Sequence, residues 1–473
     1  MAPDVLFVPV TDPALVLVIA DGLRPDTLDA AIAAGRVPAL AALRAAGGSH
    51  TLTTCFPSVT GLAYVPFLMG RHPAEVGLPG LRWLDRSHQR ARVPAHARSY
   101  VGWGVRALDR DLDPAIPTLF DLTSPALSAM SMLTRGLPHS QRIARGVWWA
   151  TRGIRTHYLG SLDDWLQVDR EVADIVARRV RTERPRFTLA AVMGIDKASH
   201  AVGQESPEAA GALQVVDRLV ARLVADASTD GRDLRVWVVS DHGHVPVHHH
   251  DELTDAVRAT GATVIAHPWI IGARGDVAVM VGGNAMAHLY LEPTRRTPAG
   301  WGDLADRWEP LAASLLTRAS VDLLVLPVDR TSCRVRATGR GEAIIRTEGS
   351  GERWRVIHEP LSGNPLGLPP GRFTRDEAWD VTRDSDYPDA LVQLATLVAA
   401  PSVGDIILSA SPDHDFRARY EPMPHVSTHG ALHRDQMRVP LLLDRPPARP
   451  LRRTTDVMTA ICAVLGVPTP RND

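Results

Sequence analysis

Cysteine and lysine are nearly absent from this chain of 473 residues. Its three cysteines, Cys55, Cys333 and Cys462, are odd in number and far apart, which argues against a disulfide framework and a thiolate-held metal. Lys197 is the single lysine, so almost all positive charge is arginine. Neither sign of charge is in excess. The formal net charge of -1 gives no general attraction to an anionic membrane or to nucleic acid, and no nucleic-acid polymer is expected as a partner. Long apolar runs are missing too: no stretch approaches the roughly 18 residues of a membrane span. The amino-terminal MAPDVLFVPVTDPALVLVIAD has no basic region, and Asp12 and Pro13 break its apolar run. A secretory signal is therefore not expected, and the expected location is the cytoplasm. Internal repeats and low-complexity tracts are also lacking.

What remains is an ordinary globular composition, 45% hydrophobic and 22% charged, long enough for two or three lobes or one large domain with insertions. ALVLVIADG (Ala14 to Gly22) is a continuous apolar run ending in Asp-Gly, which predicts a buried parallel strand that delivers Asp21 at its carboxyl end. RFTLAAVMGID (Arg186 to Asp196) and LRVWVVSDHG (Leu234 to Gly243) repeat the pattern, with the amphipathic helix ALQVVDRLVARLVAD between them. The alternation predicts an α/β fold, a doubly wound, mostly parallel sheet with its site at the carboxyl edge. From 251 to 399 the texture turns to alternating strands and glycine turns, predicting a smaller β-containing cap inserted into a core made of 1–250 and 400–473, which resumes at GDIILSAS and MRVPLLLD. The aromatic, basic stretch Ile143 to Trp165 reads as a helix packed on the core with arginines on its wet face.

Five polar clusters fall where strands end: Asp21, the neighbourhood of Thr60, Asp196 with His200, Asp241 with His242, and His429. Each alone has an ordinary reading as a helix cap, an i,i+4 surface pair, a turn or a satisfied histidine. Together, carboxylates with imidazoles suit Zn or Mn better than Mg or Ca alone.

The segments VLVIADGLRPDTL, FPSVTGLAYVPFLMGRHP, GIDKASHAVG, VVSDHGH and STHGALH resemble, in order and local spacing, the alkaline phosphatase superfamily. Within it they are most similar to the type I phosphodiesterase/nucleotide pyrophosphatase branch, with a likeness to phosphonoacetate hydrolases. The resemblance covers about 14–245 and 400–445. It implies an alkaline phosphatase-like core with two divalent ions, one on Asp196, His200 and His429 and the other on Asp21, Asp241 and His242 together with the nucleophile's oxygen. Such paired ions lie about 4 Å apart and serve the attacking and leaving oxygens of an in-line displacement.

The stretch TTCFPSVTG offers Cys55, Ser58 and Thr60 as nucleophiles. The superfamily register places the nucleophile ten residues before the glycine of FLMG, Gly70, which selects Thr60. Cys55 would suit a sulfatase, but Val59 stands where that motif needs arginine. Ser58 is out of register and reads as a cap for a helix Gly61 to Met69, whose amino terminus would aim N–H groups at a phosphate.

One position departs from the family pattern. Leu81 stands where nucleotide pyrophosphatases carry an asparagine that holds a phosphate oxygen, and leucine donates no hydrogen bond. Arg82 follows and offers a bidentate fork, so Arg82 is expected to replace the asparagine, with Trp83 as a pocket wall. His244 and the run His248 to His250 fall outside the five-point pattern and read as a loop at the cap junction, with an extra ion site as the alternative. Lys197 and Ser199 are open between supporting Asp196 and facing solvent.

The expectation is a two-metal hydrolase of a phosphodiester or pyrophosphate bond in a small-molecule phosphate ester, acting through a phosphothreonine on Thr60. The alternatives are a phosphomonoesterase or phosphonate C–P hydrolase with the same site, and a non-catalytic, metal-stabilised binding protein.

Overall fold

The computed structural model describes residues 13–86, 97–159, 161–266, 275–417 and 425–470. The expectation of no secretory signal falls largely on residues 1–12, which lie outside the described residues.

A seven-stranded sheet forms the centre, in the order Ser49–Thr53, Arg438–Leu442, Leu234–Val239, Ala14–Ala20, Phe187–Val192, Ala126–Ala129, Arg142–Ile143. Ala14–Ala20 is parallel to both neighbours, with Val18 opposite Ala190 on one side and Val238 on the other. Only Arg438–Leu442 runs against the others, so its pairings with Ser49–Thr53 and Leu234–Val239 are the antiparallel ones. All seven residues of Ala14–Ala20 are buried, and the two-residue period of a strand divides them between two cores. Leu15, Leu17 and Ile19 pack with helices Val65–Met69 and Thr455–Leu465. Val16, Val18 and Ala20 pack with Leu162–Glu183 and Pro207–Thr229 on the other face. Each buried Val, Leu or Ile contributes about 1.5–3 kcal/mol of transfer free energy, so a carboxylate is tolerated only where the strand leaves these layers. Asp21 is the next residue. The sheet is the doubly wound, mostly parallel one that the sequence predicts.

A second sheet of nine strands is antiparallel except for its edge pair, Val264–Ala266 with Val277–Gly282. Helix Trp301–Leu316 covers one face and Ala390–Val398 the other. One expectation needs correcting here. Ile406–Ala410, read as a return to the core, lies inside this second sheet between Met286–Leu291 and Val321–Pro327. Its five residues are all buried, and a fully buried strand carries no polar alternation to say which sheet it joins. The chain re-enters the central sheet at Arg438–Leu442.

A three-stranded sheet contains Asp413–Arg417, Val245–Glu252 and Ser427–Thr428. The histidine run expected as a loop is therefore part of a strand, where His248 pairs with Asp413 and His250 with Asp415 on the neighbouring strand. The aromatic, basic stretch forms helix Val147–Leu159, with Arg152 over the rings of Trp148 and Trp149 and paired to Glu171. Among the described residues no helix is long and apolar enough to cross a membrane.

Candidate metal centre

Three adjacent parallel strands deliver carboxylates to one edge of the central sheet. Asp21 follows Ala14–Ala20, Asp241 and His242 follow Leu234–Val239, and Phe187–Val192 leads into helix Gly194–Val202. Asp196 and His200 share one face of that helix at i,i+4. His429 comes from a distant segment, joined by a β-bridge to Asn284 at the tip of a hairpin of the nine-stranded sheet. Gly22 lets these pieces close up: its φ is +76°, and a Cβ there would lie 2.8 Å from the His244 ring.

The side chains form two groups that fit metal ions: Asp196, His200, His244 and His429, and Asp21, Asp241 and His242. Around Asp196 Oδ1 stand the Nε2 atoms of His244 at 3.0 Å, His200 at 3.2 Å and His429 at 3.5 Å. The far nitrogens fix the tautomers. Nδ1–H donates to Ser427 O from His200, to Gly243 O from His242 and to Ser58 O from His429. Ser427 Oγ gives its own proton to Gln204 and so accepts from His244 Nδ1. All four Nε2 atoms therefore present lone pairs, the orientation a metal-ligating histidine needs. Thr60 Oγ1 lies 3.3 Å from Asp21 Oδ1 and 3.0 Å from His242 Nε2.

The electrostatics ask for cations. Burial pushes the Asp21 carboxyl well above the carboxylate range, and the charges of Asp241 and Asp196 push it further. Asp241 is raised by burial and by Asp196, against the pull of His242. Its Oδ2 is buried with no hydrogen-bond partner. At Asp196 burial is overcome by Lys197, whose Nζ donates to Oδ2 at 2.8 Å, and by His200, so that carboxyl lies well below its usual range. Burial and the neighbouring His242 hold His429 well below an ordinary imidazole. Three buried carboxylates, one lysine and converging lone pairs fit divalent ions and little else.

The structure thus brings together Asp21, Thr60, Asp196, His200, Asp241, His242 and His429. Arg82 lines the same cavity of about 400 Å³, with Nη1 donating to Val281 O at 3.2 Å. Other expectations change. Trp83 is no pocket wall: it is 5% exposed within the core, because alternate residues of Arg82–Leu84 face opposite ways. Leu81 and Tyr100 line the cavity instead. The helix expected from Gly61 begins later. Gly61 is left-handed at φ +88°, a 3-10 turn Leu62–Tyr64 follows, and the helix is Val65–Met69. Ser58 Oγ donates to Ala431 O at 3.1 Å and caps nothing. Cys55 is fully buried, its thiol pushed up to about 12 by burial.

Sequence reasoning missed four neighbours. His244, expected with His248 to His250 in a loop at the cap junction, sits in the cluster. Tyr64 donates to Asp21 Oδ2 at 3.2 Å. His425 packs against His200 with the rings tilted, centroids 4.3 Å apart. Asn284 enters from the second sheet. Only His244 carried a signal, its place two residues after His242.

The sequence matches the family model described as type I phosphodiesterase / nucleotide pyrophosphatase over residues 15–432. No curated protein matches it. Among solved structures the chain is similar to phosphonoacetate hydrolase from Sinorhizobium meliloti 1021, solved with phosphonoformate and with phosphonoacetate, at 18% identity and a TM-score of 0.58 over 96% of each chain. It is also similar to human ectonucleotide pyrophosphatase / phosphodiesterase 5, at 12% identity and a TM-score of 0.58 over 97% of this chain and 96% of that one. An inactive variant of the murine protein, in complex with AMP, gives 12% and 0.57 over 98% and 97%. At these identities the likeness is one of fold.

Proposed function

We propose, from the premise that the chain belongs to the type I phosphodiesterase / nucleotide pyrophosphatase family, that this metal-dependent hydrolase cleaves a phosphodiester or pyrophosphate bond through a phosphothreonine on Thr60. Asp196, His200 and His429 would hold one divalent ion. Asp21, Asp241 and His242, with the Thr60 oxygen, would hold the other. The donor set suits Zn first and Mn second. When bound, the ions supply Lewis-acid stabilisation of charge on the attacking and departing oxygens.

The chain's own part begins with Thr60, whose hydroxyl is oriented by Asp21 and His242. In-line attack forms an Oγ–P bond and breaks the bond to the leaving oxygen; water then cleaves the Oγ–P bond and restores the hydroxyl. Arg82, steadied by Val281 O, grips non-bridging oxygens from the cavity wall. The observation that carries this reading is the hydroxyl of Thr60 set against one buried metal-type group, beside a second.

The test combines metal analysis with turnover of bis-p-nitrophenyl phosphate, p-nitrophenyl phosphate and phosphonoacetate. Zn or Mn should copurify, the diester should be the best substrate, and Thr60→Ala should lose about a thousandfold or more. A protein without Zn or Mn, whose hydrolysis survives Thr60→Ala, would end this reading. An Arg82→Ala enzyme with wild-type kcat/KM would remove Arg82 from it. A second reading, hydrolysis of a carboxylated phosphonate, is favoured by Arg82 and Lys197 in one cavity, two cations of which one would take the carboxylate. Phosphonoacetate as the best substrate would select it.

A further inference from the structure

The strands Val277–Gly282 and Met286–Leu291 form a hairpin of the nine-stranded sheet, and its tip reaches the metal-type groups. Gly283 and Asn284 both have φ of +61°, a conformation glycine and asparagine tolerate best. The tip is pressed home: a Cβ on Gly283 would lie 2.2 Å from Val59 Cγ1 and 2.9 Å from His429 O. Its backbone is held on both sides, with Thr428 Oγ1 donating to Gly283 O at 3.0 Å and Phe416 N donating to Asn284 O at 2.6 Å.

The side chain of Asn284 is not used by this framework. The residue is 8% exposed, lines the cavity with Thr60, Arg82, Lys197 and His429, and its Nδ2 is buried without a hydrogen-bond partner. A buried donor without an acceptor is a cost that a folded chain rarely carries unless a ligand supplies the acceptor. The acceptor that suits this place is anionic. The opposite wall is built for cations, while the neutral amide donates without competing for the carboxylates of Asp21, Asp196 and Asp241.

We propose that Asn284 is a substrate-binding residue whose Nδ2 donates to a non-bridging oxygen of the phosphoryl group attacked by Thr60. The nine-stranded sheet thereby contributes directly to recognition of a tetrahedral oxyanion. This inference rests on the reading of Thr60 as nucleophile, and its test has a part that needs no turnover.

Asn284→Gly keeps the left-handed backbone and removes the amide; Asn284→Asp keeps its size and replaces the donor with a charge. Inorganic phosphate is titrated calorimetrically into the zinc-loaded wild type and both variants, with bound metal measured alongside. Expected is a weakening of phosphate binding by about tenfold to a hundredfold in Asn284→Gly and more in Asn284→Asp, at unchanged metal content, with a similar fall in kcat/KM. Wild-type phosphate affinity in Asn284→Gly overturns the proposal and reduces Asn284 to a turn residue; so does lost affinity that merely follows lost metal. The two readings fail separately. A wild type that binds phosphate through Asn284 but hydrolyses no ester refutes the nucleophile alone, and Thr60-dependent turnover untouched in Asn284→Gly refutes the clamp alone.

Discussion

His244 Nε2 and Asp196 Oδ1 face each other at 3.0 Å, and both are acceptors. His244 donates through Nδ1 to Ser427 Oγ, and burial, with the neighbouring His200, lowers its pKa to about 3. Two lone pairs held together in a buried place call for a cation between or beside them. His244→Ala should therefore weaken Zn binding at the Asp196 group by about 10–100-fold while the Asp21 group is affected less. Competition against a chelator at two metal equivalents measures this. Equal affinities in variant and wild type would make His244 a packing residue.

The acidic group predicts a trade between stability and binding. Asp21 is fully buried among Asp241 and Asp196, so Asp21→Asn removes repulsion in the metal-free protein and removes a ligand in the loaded one. Under chelation the variant should melt higher than wild type; with Zn the order should reverse. Scanning calorimetry in both conditions decides it, and a variant that melts lower in both would show that Asp21 is a structural acceptor, for example of Tyr64.

These positions were legible to different degrees for a physical reason. Asp21, Asp196 and Asp241 stand at or just after the ends of apolar strands, and a charge that ends a buried run is visible in sequence. Thr60 was reached through its register with Gly70. His244 was misplaced because a histidine beside a histidine-rich surface strand looks like its neighbours until the burial of Val245 and Val247 shows where the chain turns inward. Asn284 belongs to a hairpin far along the chain, and its approach to Val59 and His429 is a tertiary contact with no local signature. Ile406–Ala410 failed for the opposite reason, being apolar enough for either sheet.

Cys55 is the nearest thiol to Thr60 in sequence, and burial takes it out of the chemistry. Its side chain is fully covered, burial pushes its thiol up to about 12, and Sγ makes a weak contact with Pro57 O at 3.8 Å. A thiol with so little thiolate near neutral pH neither attacks nor alkylates readily. Cys55→Ala should keep kcat within about twofold and lose on the order of 1 kcal/mol of stability from the vacated volume. Iodoacetamide labelling of the native protein, read by mass spectrometry, should leave Cys55 unmodified; rapid native labelling with loss of turnover would contradict this account.

His288 ties the nine-stranded sheet to the segment beside the cavity and predicts an acid limit. Its Nε2–H donates to Pro79 O at 2.9 Å, its Nδ1 accepts from Gly404 N at 3.3 Å, and burial lowers its pKa to about 4. The folded value lies below the unfolded value of about 6.5, so folding favours the neutral ring. The contribution is complete above about pH 6.5 and is lost as pH falls toward the folded value of about 4. A difference of about 2.5 units corresponds to on the order of 3 kcal/mol. His288→Gln keeps a donor and an acceptor but does not titrate. Urea unfolding of both proteins in chelator between pH 7 and pH 4, roughly the window set by these pKa values, should give a wild type that loses more stability on acidification than the variant. Parallel profiles would mean that His288 carries its proton in the folded state, against the hydrogen bond from Gly404 N.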